Sequence, residues 1–147
     1  MPGSEARKVI CQNRKARHDY EVLETFEAGI VLRGSEVKSL RDGAAQLTDS
    51  YAEVRRGELF LVGAKISRYA AASYTNHDPE RDRKLLMHAK EIRRLEAKIR
   101  EKGLTLIPLS MYFKCGKVKV ELALARGRKA YDKRERIMKR DLARAGM

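Results

Sequence analysis

Polar and apolar residues alternate along Lys117-Val118-Lys119-Val120-Glu121-Leu122-Ala123-Leu124. A period of two marks a strand with one face buried and the other in water. The alternation stops at Ala125, and the chain runs on from Arg126 to Met147 with almost nothing to bury. Upstream, Tyr20, Val22 and Phe26 are set against Glu21, Glu24 and Glu27, and Ile30 and Leu32 resume the pattern after Ala28-Gly29. That interruption predicts two strands, or one strand bent at a glycine bulge. Tyr51–Arg55 and Glu58–Ile66 read as strands across a turn at Arg56-Gly57-Glu58. Leu104–Phe113 reads as a strand whose Pro108 demands an edge or a bulge. Lys114-Cys115-Gly116-Lys117 is then a hairpin turn into the last strand.

Helical signals are fewer. In Gly34–Gly43, Ser35 is placed to cap, Glu36 sits at the positive end of the macrodipole, and Gly43 is a left-handed stop. Val37 and Leu40 would face the body. After the loop-like Tyr69–Pro79, Leu85, Ile92, Leu95 and Ile99 recur at helical spacing. They predict the longest helix, ending at Gly103, with Glu96 and Arg100 paired across one turn. About six strands with two or three helices make a mainly β fold (β+α). A closed antiparallel barrel resembling the OB fold is expected, because closure removes exposed edges. Residues 1–12 are expected to be a flexible arm, 13–125 the barrel and 126–147 a basic tail. The tail is expected to be disordered when free and helical on a partner. Asp132 and Glu135 have capping-box spacing, and Ile137, Met138 and Leu142 give a thin apolar stripe.

Charge narrows the function. Of 147 residues, 33 are Lys or Arg and 20 Asp or Glu, a net +13. The tail alone holds nine cations and three acids. Clustered cations gain affinity by releasing counterions from phosphates, so a nucleic acid is the first expectation. An anionic membrane fits less well, since no amphipathic segment has a large apolar face. No apolar run approaches the roughly 20 residues of a membrane span, and the polar N-terminus has no secretory pattern. Cys11 and Cys115 make no disulfide framework, which suits a reducing cytoplasm. His18, His77 and His88 lack metal-ligand spacing. The loop acids Asp49, Asp78 and Glu80 are not placed to converge on a metal. Neither an enzyme nor a cofactor or metal is expected. The dense run Asn13-Arg14-Lys15-Ala16-Arg17-His18-Asp19-Tyr20 is either a solvated loop or an RNA contact, with cations for phosphates and Tyr20 or His18 for bases.

Several blocks, in order, resemble the bacterial SsrA-binding protein (small protein B) family. They are Asn13–Tyr20, Glu24-Thr25-Phe26-Glu27-Ala28-Gly29-Ile30, Gly34-Ser35-Glu36-Val37-Lys38-Ser39-Leu40-Arg41, Asn76-His77-Asp78-Pro79, Arg83-Lys84-Leu85-Leu86-Met87-His88, Glu101–Thr105 and Tyr131-Asp132-Lys133-Arg134. Met87 and Cys115 depart mildly from the pattern, where leucine and asparagine are usual. The resemblance implies a non-enzymatic adaptor that binds the tRNA-like domain of transfer-messenger RNA. That complex enters ribosomes stalled without a stop codon, and the nascent peptide is tagged for degradation. Elongation factor Tu would be reached indirectly, through the charged RNA, and the adaptor would be a cytoplasmic monomer. By matching position the RNA-binding residues would be Asn13, Lys15, Arg17, His18, Tyr20, Glu36, Lys38, Lys84, Leu86 and His88. Arg128, Lys129, Tyr131, Asp132, Lys133 and Arg134 would form a ribosome-facing tail. Glu36 cannot attract phosphate, so it would orient a cation or accept from a base. The alternative is a ribosomal RNA-binding or ribosome-assembly protein.

Overall fold

The alternating segment becomes one of the two longest strands among the described residues. In the computed structural model, which describes residues 7–69 and 77–127, it is β9 (Lys117–Gly127). It pairs antiparallel with β8 (Thr105–Lys114) on one side and β2 (Tyr20–Ile30) on the other. The alternation ends before the strand does because the second face of β9 is also covered. Val118, Val120, Leu122 and Leu124 enter the main core, while Ala123 and Ala125 lie in a second cluster with Ala16, Ile107 and Leu109. Small residues there let α1 (Arg14–Asp19) lie close over the sheet through Ala16.

β7 (Arg83–Leu86) joins β2 to β5 (Glu58–Val62), which pairs with β4 (Tyr51–Arg55). β4 returns to β8 through Ala52 and Leu106. Six strands therefore close a ring in the order β8-β4-β5-β7-β2-β9, all antiparallel, consistent with an OB-like β+α fold. β1 (Lys8–Gln12) adds to β8 outside the ring. It shortens the expected N-terminal arm, because Lys8–Gln12 are held in strand pairing. β3 (Ala45–Gln46) and β6 (Lys65–Ile66) form a separate small ribbon. Glu58–Ile66 is thus two strands rather than one. Gly63, at φ +84°, turns the chain where a side chain would meet the Asp49 carbonyl at 3.2 Å.

Both hairpins have two successive positive φ values, Arg56 +51° with Gly57 +78° and Cys115 +51° with Gly116 +74°. This is the primed turn whose twist matches that of the strands it joins. Pro108 sits mid-strand, beside the bulge between Pro108 and Ser110, where a missing donor does least harm.

β2 is one strand, and its bulge lies at Leu23, between Val22 and Glu24, not at Gly29. Gly29 serves a different purpose: a Cβ there would come within 3.3 Å of the Leu86 Cβ, so its absence lets β7 approach.

The helices include one correction of extent and one of capping. α3 (Ala89–Lys102) is the longest helix and ends at Gly103 in the left-handed conformation, φ +62°. It buries Ile92 and Leu95, and Arg100 reaches Glu96 at 3.5 Å. Leu85 is not part of it. That residue faces the core from β7, in a strand whose alternate residues Lys84 and Leu86 point outward. α2 (Gly34–Arg41) buries Leu40, with Val37 half-buried. Its first turn is closed by the Glu36 carboxylate, which accepts from Arg33 N–H at 2.7 Å, while Ser35 instead faces His77. The expected tail helix lies outside the described residues. Among those described, no helix is long and apolar enough to cross a membrane.

Candidate nucleic-acid interface

The run Asn13–Tyr20 is a helix, not a loop. Asn13 caps it, its Oδ1 accepting from Ala16 N–H at 3.1 Å while its amide nitrogen donates to the carbonyls of Leu47 and Pro108, both at 3.1 Å. With its side-chain hydrogen bonds made internally and 2 % exposure, Asn13 holds the surface up rather than forming part of it. The exposed members are Lys15, Arg17 and His18. Lys15 Nζ lies 3.0 Å from Asp49 Oδ1, and that carboxylate holds the ammonium above its ordinary pKa. Arg17 reaches Glu121 at 3.2 Å, and His18 Nδ1 lies 3.2 Å from Asp19. Lys15, Asp19, Tyr20, Asp49, Tyr51 and Thr105 line a cavity of about 270 Å³ beside α1.

Glu36 is fully buried, and its partners are cations, as its charge demands. Arg83 Nε donates to it at 2.6 Å, and Arg81 at 2.5 and 3.2 Å. Arg83, itself 0 % exposed, also donates to the carbonyls of Ala64, Asp78 and Pro79. Burial alone would raise the Glu36 pKa, but hydrogen bonds from Arg81, Arg33 N–H and Arg83 more than offset it and hold the carboxyl below its usual range. His77 seals the base of α2, bonded to Ser35 Oγ at 2.9 Å and the Ile66 carbonyl at 2.8 Å. Glu36 therefore fixes α2 to the chain entering β7 and presents no atom to a ligand.

What that network holds in place is a second surface. Leu86 is 51 % exposed and projects beside an apolar groove of about 380 Å³ floored by Ile30, Leu32, Val37 and Phe113. Arg41, Lys117 and Lys119 rim it. Lys84 stands outward on the same strand face as Leu86, 3.5 Å from Glu58. His88, at the start of α3, is exposed. Lys38 extends from α2 to 5.7 Å from the Tyr69 ring. An exposed leucine among cations suits RNA, where the cations meet phosphate and the apolar edge meets a sugar or an unstacked base.

The expected residues thus fall into two groups. Tyr20 pairs with Gly127 at one end of β2 and Gly29 with Leu86 at the other. Nine residue steps separate them, roughly 30 Å along a strand. Lys15, Arg17, His18 and Tyr20 occupy the first end, and Lys84, Leu86 and His88 the second, while Lys38 stands apart on α2 near Tyr69 and Asn13 and Glu36 lie beneath. Arg128, Lys129, Tyr131, Asp132, Lys133 and Arg134 lie outside the described residues. Sequence reasoning missed Arg41, Lys117, Lys119 and Tyr51. Lys117 and Lys119 were readable as the outward positions of an alternating strand, whereas Tyr51 needed the fold. Among the described residues, no three His, Cys, Asp or Glu side chains gather as a metal site. Burial pushes the Cys11 thiol up to about 11, which disfavours the thiolate.

The chain is similar to known proteins. An "SsrA-binding protein" of Syntrophobacter fumaroxidans is 64% identical over 138 residues, covering 94% of this chain and 86% of the relative. That of Desulforudis audaxviator is 59% identical over 140 residues, covering 95% and 92%. A solved chain described in the words "tmRNA-SmpB: a journey to the center of the bacterial ribosome" superposes with TM-score 0.69 at 56% identity, covering 82% of this chain and 85% of that one. The family model described as SmpB protein matches residues 10–146, and with that near-complete span the chain belongs to the SmpB family.

Proposed function

We propose that this chain is the RNA-binding adaptor of trans-translation. It binds transfer-messenger RNA through the tRNA-like domain and delivers it to stalled ribosomes, where the nascent peptide is tagged for degradation. The observation that carries this reading is the near-full-length match to SsrA-binding proteins, with a tmRNA-SmpB ribosome structure as the solved counterpart. The Leu86 groove with Arg41, Lys84, Lys117 and Lys119 supplies a fitting RNA surface. The chain works by binding rather than catalysis, as a cytoplasmic monomer without cofactor. Elongation factor Tu meets it only through the charged RNA. The tail residues Arg128, Lys129, Tyr131, Asp132, Lys133 and Arg134 face the ribosome.

The test is a titration with transfer-messenger RNA and with an equal-length ribosomal RNA fragment across a salt series. Phosphate contacts alone give similar affinities and a slope of roughly 0.7 to 0.9 log units per phosphate. A preference for transfer-messenger RNA that persists at higher salt is expected. Equal binding of the two, or preference for the ribosomal fragment, returns the chain to a ribosomal RNA-binding or assembly role.

A further inference from the structure

The cavity beside α1 has a shape and a chemistry that phosphate binding does not require. Resting on the adaptor reading, we infer that it is a pocket for a single unstacked nucleobase of the bound RNA, guanine above the others. At about 270 Å³ it lies below the roughly 300 Å³ from which drug-sized sites begin, which suits one flat ring system. Two aromatic residues line it. Tyr20 packs partly against the small second core, and Tyr51 is 43 % exposed on β4. Aromatic faces of this kind hold splayed bases by stacking.

The rim supplies the specificity. Lys15 Nζ and Asp49 Oδ1, 3.0 Å apart, present a donor and an acceptor side by side. Guanine offers the complement: its N1–H and 2-amino group donate to one carboxylate, while O6 accepts from the ammonium. Uracil has only one N–H to give, so it is the weakest match. The exposed Lys15–Asp49 pair contributes little to stability, so opening it for a base costs little. Asp49 is held at the rim by its backbone, with φ +62° in the turn before β4. β9 ends at Gly127, where a Cβ would stand 3.9 Å from the Tyr20 ring. The basic tail therefore starts at the wall of this pocket, whatever path it takes afterwards.

Two measurements on the full chain test the inference. In the first, the labelled protein is titrated with GMP, AMP, CMP and UMP while amide resonances are followed. GMP is expected to move Lys15, Asp49, Tyr51 and Thr105 most and UMP least, and Asp49→Asn is expected to abolish the ranking. Four nucleotides that behave alike, or shifts confined to the Leu86 groove, overturn the pocket. This arm needs no transfer-messenger RNA, so it stands or falls apart from the adaptor reading.

In the second, Tyr51→Ala and Tyr51→Phe are assayed for transfer-messenger RNA affinity and for tagging on stalled ribosomes. Loss of a stacked base predicts about a tenfold fall for Tyr51→Ala, with Tyr51→Phe close to wild type. A fall in transfer-messenger RNA affinity is expected, and a fall in tagging alone overturns the placement of the base in the bound RNA. No fall in either, or an equal fall for Tyr51→Phe, overturns the proposal.

Discussion

Removing the Glu36 carboxylate isolates a buried cation. In Glu36→Ala, Arg83 keeps its three carbonyl acceptors but loses its only counter-charge within 4.0 Å among the described residues, and it remains 0 % exposed. Breaking a buried pair on one side costs about 3–5 kcal/mol. Arg33 N–H also loses its acceptor, but at the partly exposed start of α2, where water can replace it. For a chain of this size the loss corresponds to a fall in Tm of about 10 °C. Urea unfolding at pH 7, followed by circular dichroism, reads it directly.

The acid side of the stability profile gives an independent check. The folded Glu36 pKa lies below its reference value of 4.5, so the unfolded state binds the proton first as pH falls. Its contribution is complete above 4.5 and is lost as pH falls through the folded value. The gap between wild type and Glu36→Gln is therefore expected to narrow below that pH. Pairing Glu36→Ala with Arg83→Met is expected to recover part of the loss, since no charge is then stranded. A cost under about 1 kcal/mol at pH 7, set against the 3–5 expected, would refute the stranded-cation argument. Retention of transfer-messenger RNA affinity by a stable, folded Glu36→Gln would confirm that the residue acts by position and not by contact.

Other outcomes follow from the same geometry. Lys84→Ala should weaken transfer-messenger RNA binding and lower the salt slope by roughly 0.7 to 0.9; an unchanged slope in a salt titration removes Lys84 from the phosphate contacts. Lys133→Ala with Arg134→Ala should leave that affinity intact and reduce tagging on stalled ribosomes, and parallel losses would contradict a division between body and tail. Cys115→Asn should raise stability by a few tenths of a kcal/mol, because asparagine tolerates the +51° φ of this primed turn better than cysteine; a lower urea midpoint would show that the thiol has an unrecognised packing role.

Local signals were legible wherever one residue type satisfies one geometry. Gly43 and Gly103 stop helices at positive φ, and the Cys115-Gly116 turn was readable from its spacing. The alternation of β9 marked the strand on which the ring closes. α1 was not legible, since a six-residue helix with one buried alanine leaves no periodic trace. Leu85 misled because its distance from Ile92 fits a helix while its burial belongs to β7. β1 falls within the expected flexible arm, because the short apolar run Val9-Ile10-Cys11 gives no strand signal until β8 supplies its partner. At the candidate interface Lys15, Arg17, Lys38 and Lys84 are exposed, as polar residues usually are. Asn13 and Glu36 look like surface polar residues until Pro108 and Arg83, both far away in sequence, are brought against them. The division between two ends of β2 could not be seen before the strand was known to be continuous through Gly29.

Pairing of Tyr20 with Gly127 joins nearly the first described residues of the chain to the last. The β4–β5 and β8–β9 hairpins are local and can form early, but the ring shuts only when β9 finds β2, a contact of high sequence separation that is slow to form. During synthesis, domains organise from the N-terminus onward. The β2 edge that β9 covers therefore waits unpaired until β9 has been made. A product truncated between Lys117 and Gly127 would lose β9 in part or whole and expose β2 and β8 as open edges. Such an unfinished copy carries two strand edges open to pairing with other chains.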